Sequence, residues 1–209
     1  LLREGLLRLT EHHRARCAPY ARMMETIGFS TADVHSVENV PFLPVRLFKE
    51  LELRSVAEED VFKTMTSSGT TGQQVSKIFL DRKTAAHQQK TLVCIVSDRI
   101  GGSRMPMLIL DCPSVVKNRA MFSARGAGIL GFSIFGRKKL YALNDAMELQ
   151  LDDIRAFLAE HAGERILLFG FTFMVWQHFY HALRAAGERL DLSNAVLIHG
   201  GGWKKLAAK

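Results

Sequence analysis

Cysteine is scarce in this chain of 209 residues: Cys17, Cys94 and Cys112 are odd in number, far apart, and include no Cys-x-x-Cys pair. That pattern excludes a disulfide framework and a cysteine metal knuckle, and it points to a reducing, cytoplasmic setting. A bilayer-crossing run is missing as well. The longest apolar stretch, residues 166–176, is interrupted by Gly170 and Thr172 and falls short of the roughly 20 residues that a spanning helix needs. The common P-loop is absent, because no glycine is followed by four residues and then Gly-Lys-Ser/Thr, which argues against a P-loop kinase or GTPase. No basic run interleaves with aromatics, so the net charge of +7 does not point to nucleic acid. An anionic small substrate or an acidic partner accounts for that charge equally well. The N-terminus has no initiator Met, is charged throughout and lacks a small-residue cleavage site, so it does not read as a secretory signal. Together with the abrupt Leu-Ala-Ala-Lys ending, this predicts a fragment or a processed chain.

What is present centres on residues 64–77, Thr-Met-Thr-Ser-Ser-Gly-Thr-Thr-Gly-Gln-Gln-Val-Ser-Lys. From Thr66 to Gly72 every residue carries a hydroxyl or no side chain: Thr66, Ser67, Ser68, Gly69, Thr70, Thr71, Gly72. Short hydroxyl donors, with glycines that let bare amides approach a ligand, suit a loop wrapped round phosphate oxygens. Lys77 adds a point charge. An ordinary solvated turn is the competing reading. Apolar alternation before the run (61–65) and after it (75–80) makes it a hairpin loop within a domain.

Elsewhere the pattern predicts α/β. Residues 1–27 read as helix with a second segment starting at Pro19 and closed by Gly28. Residues 30–59 are loop-rich, with a short helix at 45–50 and an edge strand at 51–56. Asp81 caps a helix to about residue 99, which Gly101 and Gly102 end. Residues 105–110 and 166–171 read as buried strands, 132–136 as an alternating strand, 145–160 and 174–186 as helices, and 195–198 as the last strand. The three cysteines fall where small buried thiols are common.

Three further motifs carry chemistry or imitate it. Gly126, Gly128 and Gly131 satisfy Gly-x-Gly-x-x-Gly, but no convincing strand precedes them, so a dinucleotide site is disfavoured. His178 and His181 share a helical face without a Cys or acid to complete a metal set, and no metal site is assigned. His199, Gly200, Gly201, Gly202 and Trp203 follow the last strand, where open α/β sheets bind ligands and bare backbone lets a planar ring lie close.

The run 66–72 resembles the phosphate loop of the adenylate-forming enzymes, the superfamily of acyl-CoA ligases and peptide-synthetase adenylation domains. Residues 122–128, Phe-Ser-Ala-Arg-Gly-Ala-Gly, and 199–205, His-Gly-Gly-Gly-Trp-Lys-Lys, are similar to the narrower acyl-protein synthetase (LuxE-type) family. The resemblance runs from about Pro41 onward, which divides the chain into an N-terminal helical segment (1–40) and an acyl-protein synthetase-like domain (41–209). It implies an α/β fold, part of the large N-terminal domain of an adenylate-forming enzyme, with the acylated cysteine and adenylation lysine in a C-terminal region beyond this chain. It further implies ATP and Mg²⁺ as cofactors and a fatty acid as substrate. An acyl-CoA reductase-like protein is the implied partner. Residues 66–72, Lys77 and 199–203 would hold the nucleotide. Arg125, Gly126 and Gly128 would face the substrate, and the catalytic residues are left unassigned. Most acyl-CoA ligases place Pro-Lys-Gly soon after the loop, whereas here Gln73-Gln74-Val75-Ser76 precede Lys77. A phenylacetate-type acyl-CoA ligase and a non-catalytic nucleotide-binding module are the alternatives.

Overall fold

The computed structural model describes residues 1–67, 74–117 and 124–203, and the chain divides into two units, Leu1–Thr91 and Leu92–Lys209. The first unit opens with α1 (Leu2–Arg16) and α2 (Ala18–Thr26), broken at Cys17, whose backbone is extended, with proline in the first turn of α2. Proline has no amide hydrogen to lose there, so the break and restart follow from Pro19. Gly28 closes α2 at φ +64°. A single helical turn, α3 (Leu47–Glu50), precedes an antiparallel hairpin of β1 (Lys63–Thr66) and β2 (Lys77–Leu80). Asp81 then accepts the amide of Thr84 at 2.6 Å, capping α4 (Arg82–Ile100), which starts in the first unit and ends in the second.

The second unit is a parallel sheet of β3 (Met105–Ile109), β4 (Gly136–Tyr141), β5 (Ile166–Phe171) and β6 (Ala195–Gly200), in the order β4-β3-β5-β6. Its helices are α5 (Ala124–Phe132), α6 (Leu151–Glu160), and α7 (Thr172–Met174) joined through a π-helical turn (Val175–Tyr180) to α8 (His181–Ala185). The apolar runs in β3 and β5 arise because both faces of these strands are covered. Met107, Ile109, Leu167 and Phe169 pack with Val96 and Ile100 of α4 and Ile129 of α5. Leu108, Leu110, Ile166 and Leu168 pack with Ile154 and Phe157 of α6 and with Phe179 and Leu183. Pro106 sits in β3 without breaking it, because pairing to β5 begins only at Met107 and the register to β4 slips between Pro106 and Met107. Lys138, at φ +46°, is the residue left over in β4, the local geometry of a bulge.

Four expectations fail for identifiable reasons. Residues 51–56 form no strand: their alternation marks a half-buried segment, and Arg54 bridges Glu52 and Glu58 instead. Residues 132–136 are the end of α5 and a 3₁₀ turn, with Phe132 and Phe135 in contact at three-residue spacing. The helix expected from 145 starts only at Leu151. Ahead of it, the Asn144 side chain accepts the amides of Ala146 and Glu148, and so competes with helix formation. Cys94 is exposed, while Cys17 and Cys112 are buried as expected.

Candidate ligand site at the carboxyl edge of the sheet

From β3 the chain goes to β4 on one side, then crosses to β5 on the other. The order reverses at β3 and β5, and in an open parallel sheet the crevice for a ligand opens beyond the carboxyl ends of those two strands. Polar side chains gather there from five segments.

Asp111, fully buried two residues past β3, accepts three hydrogen bonds from two residues. Arg125, near the start of α5, donates Nε to Oδ2 at 2.9 Å and Nη2 to Oδ1 at 2.5 Å. The Cys112 amide donates to Oδ1 at 2.8 Å. A planar guanidinium fork on a planar carboxylate is the pairing that best offsets burial of both charges. The hydrogen bond to Asp111 raises the Arg125 pKa further above its already high value, against desolvation. Arg125 also lies 5.7 Å from the centre of the Phe173 ring. Tyr141, the last residue of β4, has its phenol pKa pushed up by burial, with the Asp111 charge adding to it. It therefore stands at the edge as a protonated donor.

At the carboxyl end of β5, Thr172 reaches the end of β6. Its Oγ1 lies 3.0 Å from His199 Nδ1, 3.0 Å from the Gly200 carbonyl and 2.8 Å from the Gly201 carbonyl. Gly201 has φ +81°, and a Cβ there would sit 3.2 Å from the Phe171 ring. Both backbone geometry and space therefore call for glycine. Trp203 meets Trp176 edge to face at 5.4 Å, and Trp176 stacks on Tyr180 at 4.9 Å. All three rings are partly exposed.

The expected site residues thus fall into two groups. His199, Gly200, Gly201, Gly202 and Trp203 end β6 at this edge, with the strand itself running two residues further than expected. Arg125 joins them at the edge. Gly126 is buried in α5, and Gly128 lets that helix lie against the sheet, since a Cβ on it would come 3.0 Å from Phe171. Gly126, Gly128 and Gly131 are all inside α5 rather than in a turn between strand and helix. Thr66, Ser67 and Lys77 belong to the first unit. Thr66 and Lys77 are register partners, and the Ser67 hydroxyl accepts the Ser76 amide at 3.0 Å. The hairpin is as expected, whereas Ser68, Gly69, Thr70, Thr71 and Gly72 lie outside the described residues. The first unit also holds an open concavity of 1730 Å³ with a mixed lining, apolar at Leu9, Leu53 and Val61 and charged at Arg8, Arg16 and Asp60. His181 packs edgewise on Trp176, and no group of three metal-type ligands occurs among the described residues.

Asp111, Tyr141 and Thr172 were missed by the sequence reading. Asp111 had a legible signal, a single acid directly after an apolar strand. Thr172 had none, because within the run 166–176 its hydroxyl reads only as an interruption.

A four-stranded parallel sheet with helices packed on both faces makes this an α/β domain. The chain belongs to the acyl-protein synthetase family LuxE, whose family model matches residues 1–209, including the N-terminal helices. That family consists of ligases that join an acyl group to a protein. No curated protein matches the chain. No helix among the described residues is long and apolar enough to cross a membrane.

Proposed function

We propose that the chain forms the nucleotide-binding part of an adenylate-forming acyl-protein synthetase, which activates a long-chain carboxylate with ATP and transfers it to a protein cysteine thiol. The gathering of Arg125, Tyr141, Thr172 and the 199–203 turn at the carboxyl ends of the four parallel strands is the observation that carries this reading. A carboxylate is a poor acyl donor. Its oxygen attacks the α-phosphorus, the bond from that phosphorus to the bridging oxygen breaks, and pyrophosphate leaves with the electron pair. A thiolate then attacks the acyl carbonyl and expels AMP.

In this reading the hairpin loop from Thr66 to Gly72, with Lys77 beside it, holds the phosphates by amides and hydroxyls. The 199–203 turn borders the base, where Gly201 keeps a Cβ out of the way. Arg125 and Tyr141 supply donors toward the acyl phosphate and carboxylate oxygens. Mg²⁺ would travel on the phosphates, an ion that needs few protein ligands in such sites. The acceptor thiol belongs to a reductase-like partner chain or to a further part of this protein, in the cytoplasm.

Calorimetric titration tests the reading. ATP should bind the chain, and Gly201→Val should weaken ATP far more than pyrophosphate. Absence of ATP binding, or equal weakening of both ligands, overturns it.

A further inference from the structure

The geometry points to Thr172 as a positioning residue that locks His199 in the Nδ1–H tautomer, so that Nε2 offers a lone pair to a hydrogen-bond donor on the ligand. The inference rests on counting protons. Thr172 Oγ1 lies within 3.0 Å of three groups, two of which are the carbonyls of Gly200 and Gly201. Carbonyl oxygens only accept, and a hydroxyl has one proton to give. That proton is committed to the carbonyls, so Oγ1 faces His199 Nδ1 with a lone pair. A second lone pair at 3.0 Å would repel it, and Nδ1 therefore carries the hydrogen. In a neutral imidazole Nε2 is then the acceptor.

The surroundings hold this arrangement in place. Thr172 is buried, so its hydroxyl has little access to water as an alternative partner. Its backbone is fixed between β5 and α7. His199 lies in β6, paired to Gly170 of β5, and is exposed near the carboxyl end of that strand. The site thus selects a ligand that presents an N–H donor. Given a nucleotide here, that group is the exocyclic amino group of adenine, and the lock becomes a source of base selectivity.

Two measurements decide it, with ATP and with purine riboside triphosphate, which lacks that amino group. Nitrogen NMR of the imidazole at a pH where it is neutral should show the Nδ1–H form in the parent chain and its loss in Thr172→Val. The parent should prefer ATP by roughly three- to tenfold, the worth of one neutral hydrogen bond. That preference should vanish in Thr172→Val and in His199→Phe, the second replacing an exposed ring and so sparing the fold. An Nε2–H tautomer in the parent overturns the inference. So does a preference that survives in both variants while ATP still binds, an outcome that leaves the proposed function standing. Failure of the parent to bind ATP at all overturns both.

Discussion

The two edges of the parallel sheet each carry an arginine–carboxylate pair, and the pairs differ in what surrounds them. At the amino edge, Arg137 reaches Glu164, whose other oxygen is 2.9 Å from His161 Nδ1. Arg104, Arg165 and Asn194 donate to the backbone carbonyls of Gly136, Ile100 and Glu164. That edge is laced to itself, each head group tying one strand to the next element. At the carboxyl edge the Asp111–Arg125 pair is more deeply buried, yet His199, Trp176, Tyr180 and Trp203 are exposed. Exposed groups at that edge are available to a ligand. Groups spent on neighbouring backbone serve the fold.

The largest expected effect separates the two pairs. Arg125→Leu strands a buried carboxylate and should cost about 3 kcal/mol in urea unfolding, the penalty for removing one partner of a buried pair. Adding Asp111→Asn to that variant should restore part of the loss. Arg137→Leu at the more exposed edge should cost clearly less. Equal losses at both edges would abolish the distinction.

Two glycines sharpen it at the next level. A Cβ on Gly136, at the amino edge, would come 2.7 Å from Met107 Cβ in the neighbouring strand. Gly136→Ala should therefore destabilise by about 1–3 kcal/mol, the range for overpacking, and any ligand effect should follow stability. Gly201→Ala should cost only about 1 kcal/mol for its left-handed backbone but should weaken ATP out of proportion. Calorimetry on both, at a temperature where each is folded, checks the contrast.

How much of this was legible in the sequence depends on the kind of signal. Residues 105–110 and 166–171 announced themselves because strands buried on both faces have no polar side. The hairpin at 61–80 and the cap at Asp81 were legible from local chemistry alone. The start of α6 was not, since a single side chain, Asn144, decides it by taking two amides. Glycine spacing in α5 imitates a dinucleotide fingerprint, which the missing strand before it disfavours, and the structure uses Gly128 for helix-to-sheet packing. Composition cannot distinguish those uses. The Asp111–Arg125 pair and the Thr172 bridge depend on which strands end side by side, and that is set by sheet order.

A smaller effect is a pH signature at the amino edge. The Glu164 carboxyl is held below its ordinary value of 4.5, first by the hydrogen bond from His161, with the Arg137 charge contributing. A lowered carboxyl pKa gives stability that is present above the unfolded value and is lost as pH falls through the folded one. The stability gap between the parent and Glu164→Gln should therefore hold at neutral pH and close below pH 4.5. Stability curves from neutral to acid pH for the parent and Glu164→Gln measure this.

The smallest expected effect is on thiol reactivity, and it reports on whether the carboxyl edge is closed. Cys17 and Cys112 are 3% and 4% exposed, whereas Cys94 is open to solvent on α4. Alkylation requires a thiolate that the reagent can reach, so in the native chain Cys94 alone should react within the usual labelling time. Cys112 follows Asp111 directly, lies 3.2 Å from the Ser114 hydroxyl and neighbours the Arg125 guanidinium. Its access to solvent is therefore controlled by the same ion pair that seals the end of β3. In Arg125→Leu the Cys112 labelling rate should rise several-fold while that of Cys17, in the other unit, stays unchanged. Peptide mapping by mass spectrometry after a timed iodoacetamide pulse reads both rates at once. A rise at Cys17 as large as that at Cys112 would mean that the variant loosens the whole chain, and the ion pair would then be no more local to the carboxyl edge than any other core contact.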